Sequence, residues 1–305
     1  MDVLVDKRVV LITGKGGVGR SVMTAVLAKL AAARGRRVLV TEIGDENDDY
    51  SPLAKHFGRS RLPSAPEPIA ENISAATLLA RTGQELFLKS VLRSGTIARA
   101  ALSSDALRRL LSAGPSFREM GVFFQLLTYL RAKLKDGTPE HEFIIVDMPA
   151  TGHTLSLTGL PELLLRLVPK GPIAESLREG QAYLNDPKQS AACIVTLPET
   201  LPVSECLELI EGLGKTKMPV GAVLVNRLPP DPFTDVERAK LAPLIDQHRW
   251  LGGEQFNKPL LAKREVTRLQ ANTKVPIYTA PELPHDGLID ELTRVLKGAK
   301  QLGGA

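Results

Sequence analysis

Within residues 8–21, RVVLITGKGGVGRS, four glycines, two cations and a hydroxyl fall inside eight consecutive positions. Glycine permits positive φ and lets the main chain approach a ligand closely, so successive N–H groups can converge on an anion. Loops of the form Gly, four residues, Gly, Lys, then Ser or Thr bind phosphate in this way. Here Gly14 and Gly19 fill the glycine places and Ser21 the hydroxyl place, while Arg20 stands in the lysine place. A β-branched run precedes the loop, and apolar residues at helical spacing (Val22, Val26, Leu27, Leu30) follow it. The helix start adds its partial positive charge. The predicted chemistry is phosphate binding by residues 14–22, namely Gly14, Lys15, Gly16, Gly17, Val18, Gly19, Arg20, Ser21 and Val22, with Ser21 as a Mg²⁺ ligand. Asp147 is the second chemical position: it closes the apolar run FIIVD, where a Walker B aspartate holds the Mg²⁺ shell through water.

The elements that must position these groups read as an α/β alternation. A strand at Arg37–Glu42 after the first helix gives a parallel βαβ start. A third strand, Ile73–Thr77, follows the proline-rich LPSAPEP, and Phe143–Asp147 has the continuous apolar character of a strand buried on both faces. Further strands are predicted at Ala192–Thr196, Gly221–Asn226 and Val275–Thr279, with a last helix near 285–300, making a doubly wound, mostly parallel sheet of roughly seven strands. Residues 83–135 lose the strand signature: Leu86, Phe87, Val91, Ile97, Leu107, Leu110, Phe123, Phe124, Leu127 and Leu130 fall on helical faces. A second helical section spans about 153–187, interrupted at Pro169 and Pro172. The chain thus reads as one α/β domain, 1–305, with an inserted helical subdomain.

Composition narrows the class. At 305 residues and 43% hydrophobic content the chain can bury a full core. A formal charge of +5 with 4% aromatics, and no basic block interleaved with rings, gives nucleic-acid binding little support. No apolar run approaches the ~20 residues that span a bilayer. The opening MDVLVDKRVV reads as entering a strand almost at once, without a signal-peptide layout, so a cytoplasmic protein is expected. Cys193 and Cys206 lack any CxxC spacing and read as buried thiols, with no zinc site.

A lysine directly after the first glycine, as Lys15 is, marks the deviant P-loop ATPases, and Met148–Pro161, MPATGHTLSLTGLP, narrows the match. Together they resemble the ArsA and Get-type ATPase family, which includes arsenite-pump ATPases and ATPases that target tail-anchored membrane proteins. Asp147, Thr151, Gly152, His153, Thr154, Leu155, Leu157, Leu160 and Pro161 match the family's switch II. The similarity continues through TLPETLPVSE at 196–205, VLVNR at 223–227 and VPIYTAPELPHDG at 275–287. The resemblance implies a P-loop NTPase fold of deviant Walker A type, ATP and Mg²⁺ as cofactors, and a dimer in which Lys15 reaches the partner's phosphates. It further implies that Asn226 hydrogen-bonds adenine, that the loop at Pro281 and Glu282 closes over the base, and that Asp147–Thr154 senses the γ-phosphate, with His153 as a coupling residue.

Three departures qualify that picture. Arg20 keeps the charge of the lysine it replaces, but its wide planar fork cannot sit between β- and γ-phosphate as an ammonium does. The family's switch I aspartate, which positions the attacking water, has no direct counterpart in TEIGDENDD: Asp45 lies one position beyond it, with Glu42, Asp48 and Asp49 as other candidates. Two cysteines cannot supply a trithiolate arsenite site, and Met120 is the only methionine between residues 60 and 140, so no methionine-lined groove for transmembrane helices is apparent. The expectation is an ATP- and Mg²⁺-dependent ATPase acting as a dimeric switch, with Lys15, Asp45 and Asp147 as catalytic residues and a possible membrane-protein partner or client. The alternatives are a hydrolysis-impaired subunit paired with a paralogous ATPase, and a targeting factor for hydrophobic segments.

Overall fold

The computed structural model describes residues 1–45, 50–92, 115–149, 152–167, 169–247, 253–284 and 286–302. The N-terminus does not enter a strand at once: helix α1 (Asp2–Val5) precedes strand β1 (Val9–Thr13). Leu4 and Val5 of that helix are fully buried, and four residues are too few to show a helical period in sequence. Next come α2 (Arg20–Ala32), β2 (Val38–Ile43), a short α3 (Pro52–Lys55), β3 (Glu67–Ala70), β4 (Ile73–Leu78), α4 (Ala80–Leu92), α5 (Pro115–Arg131) and β5 (Phe143–Asp147). The second half runs α6 (Gly152–Leu167), α7 (Pro172–Asn185), β6 (Ser190–Thr196), α8 (Thr200–Lys215), β7 (Val220–Leu228), α9 (Asp235–Gln247), α10 (Gly253–Asn272), β8 (Ile277–Pro281) and α11 (Leu288–Lys297). Among the described residues no helix is long and apolar enough to cross a membrane.

The strands form an eight-stranded sheet in the order β3-β4-β2-β5-β1-β6-β7-β8. The count exceeds the expected seven because β3, antiparallel to β4, adds an edge strand. It carries Pro68 and is largely exposed, so it has neither the apolar run nor the alternation that marks a strand, and an edge position tolerates the missing donor. All other pairings are parallel. Strand β1 shows why the sheet is covered on both faces: Val9 and Leu11 enter one core, Val10 and Ile12 the other. The central order places β2 two strands from β1 on one side and β6 beside it on the other, so chain direction diverges at the carboxyl end of β1. Open α/β sheets bind ligands at such a switch point. Ile12 and Glu42 are both register partners of Asp147, which sets the ends of β1, β2 and β5 side by side.

Part of the helical region is visible as α4 and α5, while residues 93–114, and with them Ile97, Leu107 and Leu110, lie outside the described residues. Phe87, Phe123, Phe124, Leu127 and Leu130 are buried in the core that covers one sheet face. These five apolar positions are therefore already consumed by packing. The two helices cross at glycines: a methyl group on Gly83 would sit 1.7 Å from the carbonyl oxygen of Gly121, and one on Gly121 would sit 2.0 Å from that of Ala80. Backbone cannot yield as a flexible side chain does. Gly83→Ala and Gly121→Ala are each expected to destabilise the fold by about 1–3 kcal/mol, read as a lower urea midpoint at unchanged slope. An unmoved midpoint in both would refute the crossing.

Candidate active site

The loop after β1 takes its shape from two glycines. Gly14 has φ +145°, and a methyl group there would lie 2.2 Å from the carbonyl oxygen of Val195 on β6. Gly19, at φ +96°, is the residue before α2, and a side chain on it would collide with the amide nitrogen of Asn226. No side chain caps α2, so its first amides face the loop's concavity without a side-chain acceptor. Val18 is buried beneath, Val22 is half-buried against the same core, and Lys15, Gly16 and Gly17 are exposed. A glycine-rich loop leading into uncapped helix amides is the backbone arrangement that suits an anion.

Below it, the Ser21 hydroxyl donates to Oδ2 of Asp147 at 2.5 Å. The other carboxylate oxygen, Oδ1, is buried without a hydrogen-bond partner. Burial pushes the Asp147 carboxyl up to about 6; the Ser21 hydrogen bond and the Arg20 guanidinium oppose the shift, and Glu42 reinforces it. Glu42 is itself raised by burial, offset in part by hydrogen bonds from the Ser51 hydroxyl and the Leu53 amide. Arg20 donates from Nη1 to the carbonyl oxygen of Met148 at 2.7 Å, just past Asp147. Burial lowers its pKa and Asp147 counteracts that. Thr13 and Thr154 share a hydroxyl–hydroxyl hydrogen bond of 2.8 Å, tying the end of β1 to the start of α6. Ala150 and Thr151 lie outside the described residues.

A hydroxyl and a carboxylate with one orphaned oxygen are hard donors that suit Mg²⁺, which keeps several waters and takes one or two protein oxygens alongside phosphate. Among the described residues no group of three or more His, Cys, Asp or Glu side chains gathers into a metal cage.

The structure distributes the other predicted residues around this centre. Lys15 is ion-paired with Glu205 on α8 of its own chain. Asp45 is bound to Arg118 on α5 at 3.0 Å, and Asp48 and Asp49 lie outside the described residues. Asn226 is buried: its amide nitrogen donates to the Val18 carbonyl at 2.8 Å, and its oxygen accepts from the Arg227 amide at 2.9 Å. Pro281 closes β8, and the Glu282 amide donates to the Leu228 carbonyl while its carboxylate accepts from Lys258. A cavity of about 1120 Å³ lies beside that loop, walled by Leu197, Arg227, Pro229, Leu261 and Glu282. A second cleft of about 750 Å³ brings Arg20, Ser21, Glu42, Asp45, Arg118 and Asp147 together. Sequence reasoning missed Arg118, which sits in no motif, and missed Glu205 as the partner of Lys15, although it closes the TLPETLPVSE stretch. Cys193 and Cys206 are buried thiols on opposite faces of the sheet, both pushed up to about 12 by burial.

The shift at Asp147 carries a sign. A carboxyl whose folded pKa, near 6, lies above its ordinary 3.8 binds a proton more readily when folded. Its contribution to stability is present below pH 4 and is lost as pH rises through 6. Asp147→Asn is therefore expected to stabilise the nucleotide-free chain at pH 7.5, by up to about 3 kcal/mol, and to leave it unchanged near pH 4. Urea melts at both values check this; equal gains at the two would contradict it.

The chain matches the family model of the anion-transporting ATPase, ArsA ATPase, over residues 7–171 and 171–248. ATPase BagA of Mycobacterium tuberculosis is 31% identical over 240 residues, which cover 77% of this chain and 69% of that protein. An arsenical pump-driving ATPase of Escherichia coli is 27% identical over 268 residues, 84% of this chain but 37% of that one. ATPase GET3B of Arabidopsis thaliana is 24% identical over 273 residues, with 74% and 65% covered. With its glycine cradle, its Ser21–Asp147 pair and these matches, the chain belongs to the ArsA family of ATPases.

Proposed function

We propose that the chain binds ATP with Mg²⁺ at residues 14–22 and works as a dimeric, nucleotide-driven switch. The observation that carries this reading is the Ser21–Asp147 pair with its orphaned oxygen, lying directly under the glycine cradle. Ser21 would hold Mg²⁺ directly and Asp147 through water; the ion supplies positive charge against the β- and γ-phosphates. The amides of Gly14–Val22 hold the phosphates, and the cavity walled by Arg227 and Glu282 accommodates the base, with Asn226 and Pro281 each one residue before a wall residue. Lys15 leaves Glu205 to reach the partner's phosphates, in the manner of an arginine finger. The Thr13–Thr154 bond passes the state of the phosphate loop to the segment Asp147–Thr154, and motion of the helical layer is the output. A water-positioning role for Asp45 requires it to leave Arg118.

One observation favours the second reading, a hydrolysis-impaired subunit that pairs with a paralogous ATPase. Arg20 is engaged with the Met148 carbonyl and has the wrong shape for the lysine's place between phosphates. Both readings keep nucleotide binding and differ in turnover.

Calorimetry with ATP and Mg²⁺, followed by phosphate release and light scattering, separates them. A homodimeric switch is expected to dimerise with ATP and release phosphate alone. Arg20→Lys is expected to speed release about tenfold, and Lys15→Ala to slow it at least about a hundredfold at unchanged ATP affinity. Binding without release, restored by a paralogue, supports the second reading. No affinity for ATP in either setting removes both.

A further inference from the structure

The cleft of about 750 Å³ is walled from three directions. The phosphate-loop helix α2 contributes Arg20 and Ser21, the ends of β2 and β5 contribute Glu42, Asp45 and Asp147, and the helical layer contributes Arg118 from α5. Its two cations differ in their engagement. Arg20 is substantially buried and donates to a backbone carbonyl. Arg118 is 57% exposed, and its recorded ion pair is with Asp45, itself 42% exposed, at 3.0 Å. An ion pair so open to water is weak and readily exchanged. Guanidinium groups grip phosphate oxygens through two parallel donors, a stronger contact than an exposed carboxylate offers.

We propose that Arg118 reads the terminal phosphate of the bound nucleotide from within its own chain, exchanging Asp45 for it. The cleft begins at Ser21 and Asp147, where the outer end of a triphosphate would lie under the nucleotide-binding reading on which this inference rests. A diphosphate lacks the outermost phosphate, so Arg118 distinguishes the two nucleotides. The exchange draws α5 toward the loop, giving the helical layer a direct contact with the group whose presence it must report.

The test is calorimetry with Mg²⁺ on the full chain, titrated with ADP and with a non-hydrolysable ATP analogue. Arg118→Ala is expected to lose tenfold or more of the analogue affinity with ADP affinity held within twofold, and Arg118→Lys to recover part of the loss. Asp45→Asn, which releases the guanidinium, is expected to raise the analogue affinity. Equal losses for both nucleotides in Arg118→Ala, no loss at all, or an Asp45→Asn variant that behaves like Arg118→Ala would each overturn the proposal. Retained ADP binding reports that a variant is folded. A wild-type chain that takes up neither nucleotide overturns the binding reading, and this inference with it.

Discussion

Everything at the centre of this molecule follows from one carboxylate placed where water cannot solvate it. Asp147 ends a strand that is buried on both faces, between two neighbours of the same character, and helix α2 offers it one hydroxyl. Its second oxygen is left dry. An unpaired buried acceptor is costly, and an ionised one more so, which is why burial raises the pKa of Asp147. The parallel order of β2, β5 and β1 creates the problem by bringing three strand ends together, and the glycine loop lies beside the same spot.

The polar groups around that spot share a pattern. Ser21 is turned to Asp147, Arg20 to a backbone carbonyl, Lys15 to Glu205 and Asp45 to Arg118. Arg20 and Lys15 are thus held by oxygen acceptors, as a phosphate would hold them, and the contacts at Lys15 and Asp45 are exposed and individually modest. Asn226 serves differently: its buried amide fastens the loop at Val18 to the end of β7.

Much of this was legible in the chain itself. The strand, glycine loop and helix around Gly14–Ser21 announce themselves because glycine spacing and apolar periodicity agree there, and FIIVD at 143–147 because a strand buried on both faces has no polar alternation to confuse it. What escaped was short or depended on distance in sequence. Helix α1 is too brief for a period, and β3 hides in a proline-rich stretch because an edge strand need not be apolar. Gly83 and Gly121 are separated by 38 positions and look like ordinary helix-weakening glycines until their backbones touch. Arg118 is one arginine among many in a region read for its apolar faces; only the packing of α5 beside the loop after β2 gives it a place.

The glycine crossing between α4 and α5 limits how the helical layer can respond to that place. Two helices touching through main-chain atoms have no rotamers at the contact with which to absorb a shove. The joint is made of carbonyl oxygens and α-carbons, so the two helices meet there without side-chain slack between them.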